Sequence, residues 1–148
     1  MGRICLFFVL LSIFGFASTL SAQEAGDTGS SGQQENGFQL GQNYPNPFNP
    51  ETKIPFVLNE ELFDNGQAVV VSVRIFNVLR QFVAAPTALG HPRGEGVPLV
   101  QLEYDFPGRY EGYWDGHDEL GNQVASGVYF VQLTVSGQSQ VMKMFVTK

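Results

Sequence analysis

The stretch "AVVVSVRIFN", residues 68–77, decides the fold class. Val69, Val71, Val73 and Ile75 fall at every second position, with Val70, Ser72, Arg74 and Phe76 between them. That is the period of a strand with one face on a core, and β-branched side chains suit a pleated surface better than a helix. Similar runs flank it. Residues 53–58, "KIPFVL", read as a strand in which Pro55 lacks a backbone donor, which points to an edge position. A turn at residues 77–80 leads into a short strand at 81–84. "PTALGHPRGEG", residues 86–96, has two prolines and three glycines and reads as a long mobile loop without regular structure. Strands at 98–104 and 109–114 follow, separated by an "FPG" turn in which Gly108 can take positive φ. A polar excursion, residues 115–127, precedes a terminal hairpin of "VYFVQLTV", 128–135, and "QVMKMFVT", 140–147, turning around 136–139. Seven short strands between turns predict an all-β sandwich, with a small β-barrel as the alternative.

The chain has 148 residues, enough for one compact domain with a modest core. Residues 1–22, "MGRICLFFVLLSIFGFASTLSA", set Arg3 ahead of an apolar stretch from Ile4 to Phe16 and then small and hydroxyl residues, the layout of a secretory signal peptide. The apolar part is shorter than the roughly 20 residues of a bilayer span and no basic cluster follows, so no stable membrane span is expected once it is removed. Cleavage is expected between Ala22 and Gln23, with Leu20 at the minus-three position allowing a shift of a few residues. Cys5 is the one cysteine and leaves with the signal, which excludes disulfides and thiolate metal sites from the mature chain. Without Arg3, seven Lys and Arg face fourteen Asp and Glu, a balance that argues against nucleic acid or an anionic membrane as partner. Residues 23–37, "QEAGDTGSSGQQENG", contain almost nothing apolar and read as a disordered linker to a domain at 38–148.

Ahead of the first strand lies "QNYPNPFNPETKIPF", residues 42–56. Its prolines fix φ and bias their predecessors away from helix, which suits an extended, stiff lead-in, while Asn46 and Asn49 can cap local turns. Tyr44 and Phe48 are expected to pin it to the sandwich. "LGQNYPNPFNPETKIPF" (40–56), "VRIFNVLRQFV" (73–83), "WDGHDELGNQVASGVYFVQL" (114–133) and the closing "MKMFVTK" (142–148) resemble, in order, four landmarks of one family. That family is the immunoglobulin-like C-terminal sorting domain of bacterial type IX secretion, itself similar to the immunoglobulin-like domain of the flagellar hook-capping protein. The motif positions in this sequence are Asn43, Tyr44, Pro45, Asn46, Pro47, Phe48, Asn49, Pro50, Asn77, Trp114, Asp115, Gly116, Gly121, Ser126, Gly127, Tyr129 and Lys143. The resemblance implies an immunoglobulin-like or fibronectin III-like sandwich; a monomer without cofactor, metal or catalysis is expected. The resemblance also implies protein partners in the secretion machinery, passage through the periplasm, and delivery to the cell surface or medium, commonly with removal of the domain. Arg80 stands where family members usually have glycine, and the segments 60–67 and 86–105 look longer than usual. In the family a large cargo precedes the domain, whereas here the linker does; a stand-alone surface protein, a remnant or fragment of a longer gene, and a retained structural module all fit.

Other chemistry has little support. His91 and His117 lack any metal-ligand spacing. "DGHDELGN", 115–122, clusters oxygens, but Asp115, Asp118 and Glu119 do not alternate as a calcium loop does, and Asp-Gly and Gly-Asn are turn chemistry. Ser126 lacks a nucleophile context, and Glu103, Asp105 and Glu111 read as solvated acids. Tyr104, Phe106, Tyr110, Tyr113 and Trp114 form the densest aromatic stretch. Trp114 is expected in the core, with Tyr113 on the opposite face and partly exposed. An adhesive or carbohydrate-binding surface module is therefore the alternative function.

Overall fold

In a computed structural model that describes residues 36–148, nine strands run in order. They are β1 (Phe38–Leu40), β2 (Thr52–Leu58), β3 (Val69–Asn77), β4 (Phe82–Ala84), β5 (Thr87–Leu89), β6 (Leu102–Tyr104), β7 (Gly108–Trp114), β8 (Gly127–Val135) and β9 (Gln138–Val146). The expected signal peptide, its cleavage at Ala22 and Gln23, and the linker up to residue 35 lie outside the described residues. Gly37, expected to close the linker, is instead buried and its carbonyl accepts from Asn59 N at 2.8 Å.

The strands make two antiparallel sheets, β1-β2-β7-β5 and β4-β3-β8-β9, with β6 on the same side of β3 as β4 but at its other end. These are the A-B-E-D and C′-C-F-G orders of an immunoglobulin-like sandwich. Period-two burial drives the association: along β3, Val69, Val71, Val73 and Ile75 are buried while Val70 and Arg74 are exposed. Ile54, Phe56 and Leu58 of β2 meet Val131, Leu133 and Val135 of β8 and Met144 of β9 in the shared core. Each such side chain contributes roughly 1.5–3 kcal/mol of burial before the entropy of ordering is set against it. The barrel alternative does not form, because β1 and β9 meet through a side chain and not a ladder. Leu40 N donates to Gln140 Oε1 at 2.8 Å, and Gln140 Nε2 donates to the Phe38 carbonyl at 2.9 Å.

Several expectations need correction. β2 is not an edge strand, since β1 and β7 flank it. Pro55 is tolerated because the register slips beside it: Leu40 lies opposite Phe56 but Tyr44 opposite Lys53, one residue more on the lead-in side. Gly41 sits at that slip, where a Cβ would come within 2.9 Å of the Pro55 ring. Within the expected loop 86–96, Thr87–Leu89 forms β5 against β7, which adds an eighth strand; β1 is the ninth. The expected strand 98–104 is split. Pro98 bridges Thr87 of the first sheet, Leu99 is fully buried and accepts from Val73 N, and Gln101 at φ 48° redirects the chain so that β6 joins the second sheet. The "FPG" segment therefore crosses between sheets. The terminal hairpin turns over two residues, Ser136 and Gly137, both at positive φ, with Val135 opposite Gln138.

Candidate functional site

Between β1 and β2 the proline-rich lead-in forms no strand of its own, yet it is built into one end of the sandwich. Phe48 is buried at 1% exposure and its ring meets Trp114 edge-on at 5.4 Å. Its backbone bridges the last strand: Phe48 N donates to the Phe145 carbonyl, and Thr147 N donates to the Phe48 carbonyl. Asn43 is buried too, its Nδ2 donating to the Pro45 carbonyl at 3.1 Å and to Thr52 Oγ1 at 3.0 Å. The Tyr44–Pro45, Asn46–Pro47 and Asn49–Pro50 peptide bonds are cis. Two details differ from expectation. Asn46 does not cap a local turn, because its Oδ1 accepts from Phe145 N at 3.0 Å in β9. Tyr44 remains half-exposed, its hydroxyl bonded to Glu111.

Trp114 is the centre of this end. It is buried, its Nε1 donates to the His117 carbonyl at 2.8 Å, and Tyr129 packs on it at 5.8 Å. The Tyr129 hydroxyl donates to the Ala125 carbonyl at 3.0 Å, a tie from the start of β8 back to the incoming chain like the tyrosine corner of immunoglobulin-like domains. Tyr129 also lies opposite Asn77 across β3–β8. Asn77 in turn closes the β3–β4 turn, its Oδ1 accepting from Leu79 N and Gln81 N. Arg80 in that turn has φ 60°. Gly116 lies against the Pro50 carbonyl, leaving no room for a Cβ. Thus Asn43, Phe48, Pro50, Asn77, Trp114, Gly116 and Tyr129 are brought to one end of the molecule. Lys143 sits outward on β9 with Nζ 5.2 Å from the Phe145 ring centre, while Ser126 and Gly127 are exposed at the entry to β8. Pro45, Pro47 and Asn49 are exposed on the lead-in.

The excursion after Trp114 is a pair of turns. Asp115 Oδ1 accepts from His117 N, and Asp118 accepts from Leu120 N, Asn122 N and Asn122 Nδ2. These donors, led by Asn122 N, hold the Asp118 carboxyl below its ordinary value. Gly121 at φ 82° completes the second turn. No group of three or more His, Cys, Asp and Glu is placed to hold a metal ion among the described residues.

At the other end His91, in the segment expected to be a loop, is buried. Its ring stands edge-on to Tyr104 at 4.8 Å, Nδ1 accepts from Arg93 N, and Nε2 donates to the Glu103 carbonyl at 2.9 Å. Tyr104 packs at a tilt on Tyr110 at 4.4 Å and edge-on to Phe56 at 5.8 Å, and burial pushes its hydroxyl well above its ordinary value. Glu103 on β6 pairs with Arg93 at 2.6 Å, while Glu111 on β7 belongs to the other sheet, so the two are not a carboxylate pair. Ser126 hydrogen-bonds to neither histidine among the described residues.

Three residues that sequence reasoning missed hold this architecture: Thr52, whose buried hydroxyl receives Asn43; Gln140, whose amide joins the two sheets; and Gly41 at the register slip. Only Gly41 carried a sequence signal, a glycine just ahead of a proline cluster. No protein-family model, no curated protein and no solved structure matches this chain.

Proposed function

We propose that the chain is an exported, non-catalytic sorting module, recognised as a folded sandwich by a type IX secretion apparatus and delivered to the cell surface. One observation carries the reading. The segments that resemble the sorting family lie far apart in sequence, yet Phe48, Trp114, Gly116, Tyr129 and the last strand pack on one another as a single unit. A motif kept only for local turns would not need those contacts. Intact-mass analysis of the exported protein tests the proposal: loss of the sandwich from secreted material is expected, and its persistence there would count against a sorting role.

A second reading has its own support. Tyr44, Lys53 and Tyr113 form one outward row across the four-stranded sheet, and the tyrosine hydroxyls are tied to Glu111 and Glu51. Aromatic faces flanked by carboxylates and a lysine suit sugar stacking with hydrogen bonds at the ring edge. This adhesive reading predicts an uncleaved domain that loses glycan binding on Tyr44→Ala or Tyr113→Ala.

A further inference from the structure

The outer face of the five-stranded sheet is unlike the rest of the surface. Phe82, Phe76 and Phe130 stand side by side across β4, β3 and β8, with Lys143 next in the row on β9. The adjacent row reads Arg74, Gln132, Val141. Val78, Phe82, Val141 and Phe145 are substantially exposed, and none of these outward side chains is needed by the core. The chain as a whole has a net charge of −6, yet β3, β4, β8 and β9 contain no aspartate or glutamate. Their charges are Arg74 and Lys143, with Arg80 in the β3–β4 turn, and none of the three has an ion-pair partner among the described residues. The sheet's one carboxylate is Glu103 on β6, opposite Val70 at the far end of β3 and paired with Arg93; beyond β4, Asp118 is engaged by Asn122 and Leu120, and exposed Glu119 donates its backbone N to the Val83 carbonyl.

Between these rows lies a shallow depression of about 560 Å³, lined by Phe76, Val78, Arg80, Phe130, Gln132 and Val141. Phe76 and Phe130 give it an aromatic floor, Arg80 stands among its lining residues with Lys143 opposite Phe130 just outside it, and Gln132 offers one donor group and one acceptor group midway. We propose that this face binds an acidic polypeptide segment carrying a large apolar side chain, supplied by a protein partner. The apolar side chain fills the depression, the Gln132 amide meets the segment's main chain, and Arg80 and Lys143 face its carboxylates. A second copy of the same face is disfavoured because cations would meet cations, and a flat lipid surface cannot enter the depression. The inference rests on the export reading only for the identity of the partner.

The full-length chain is titrated with a short labelled peptide alternating glutamate with leucine and phenylalanine, and with its lysine counterpart. The acidic peptide is expected to bind and the lysine peptide to bind at least about tenfold more weakly. R80E/K143E should reverse that preference, R80K/K143R should keep it, and R109E on the other sheet should leave it unchanged. Equal binding of the two peptides, or indifference to R80E/K143E with the fold intact by circular dichroism, would overturn the inference. So would capture of anionic phosphatidylglycerol vesicles without peptide binding. Because binding is read on the isolated chain, export failure with peptide binding intact counts against the export reading alone.

Discussion

A Cβ built on Gly116 would fall well inside van der Waals contact with the Pro50 carbonyl oxygen, and the backbone there has φ 75°. Both costs act together, so Gly116→Ala should destabilise the domain by roughly 2–4 kcal/mol, about 1–2 of it from the left-handed backbone alone. Urea denaturation reads this, and a change under half that size would mean the lead-in is not held where described. Arg80 is the opposite case, a side-chain-bearing residue at φ 60° in an exposed turn. Arg80→Gly removes strain but gives the unfolded chain more freedom, for a net gain of about 0.5–1 kcal/mol; Arg80→Ala should gain nothing. At Asp118 the pH dependence has a definite sign. Its folded-state carboxyl is held below the ordinary 3.8, so its contribution is complete above that pH and is lost as pH falls through the lowered value. The stability gap between the natural protein and Asp118→Asn should therefore be present at neutral pH and close in strongly acidic urea titrations.

Among the elements, the lead-in matters most because it has no ladder of its own and is held by side chains and a few bridges. Phe48→Ala removes the ring between Trp114 and the last strand and should cost roughly 3–5 kcal/mol, a large share of a small domain's stability. Much of the element inventory was legible. From Val69 to Ile75 β3 alternates, so its having one face on the core follows from period alone. The pinning role of Phe48 and the burial of Trp114 were legible as well, whereas Tyr44, expected to pin beside Phe48, remains half-exposed. β1 and β5 were not legible. Each has three residues, too few for a period to show, and each is fixed by a partner far away in sequence, β2 and β7. Pro55 was misread for the same reason: whether a missing donor marks an edge or a slip depends on the neighbouring strand.

For the molecule as a whole, the sandwich is closed at one corner by an amide. Gln140 gives β1 the donor and acceptor that a further strand would have supplied, satisfying an edge that would otherwise be open. Gln140→Leu should cost about 1–2 kcal/mol and raise hydrogen exchange at Leu40 N, whose partner is lost. No sequence pattern announces such a bond across the chain. The crossing of residues 97–102 from one sheet to the other, which sets β6 on β3 and buries Leu99, was equally hidden. The site at the Trp114 end was legible only as separate motifs; their convergence is a property of the fold. The export role proposed for the chain is a separate claim, open to direct test. The most direct measurement inserts a reporter between residues 1–22, the expected signal peptide, and residues 23–148 in a host with a type IX apparatus, scored by protease accessibility on intact cells. A surface-accessible reporter is expected with the intact domain and a periplasmic one when β9 is deleted. A reporter that stays in the periplasm behind the intact domain would contradict the export role.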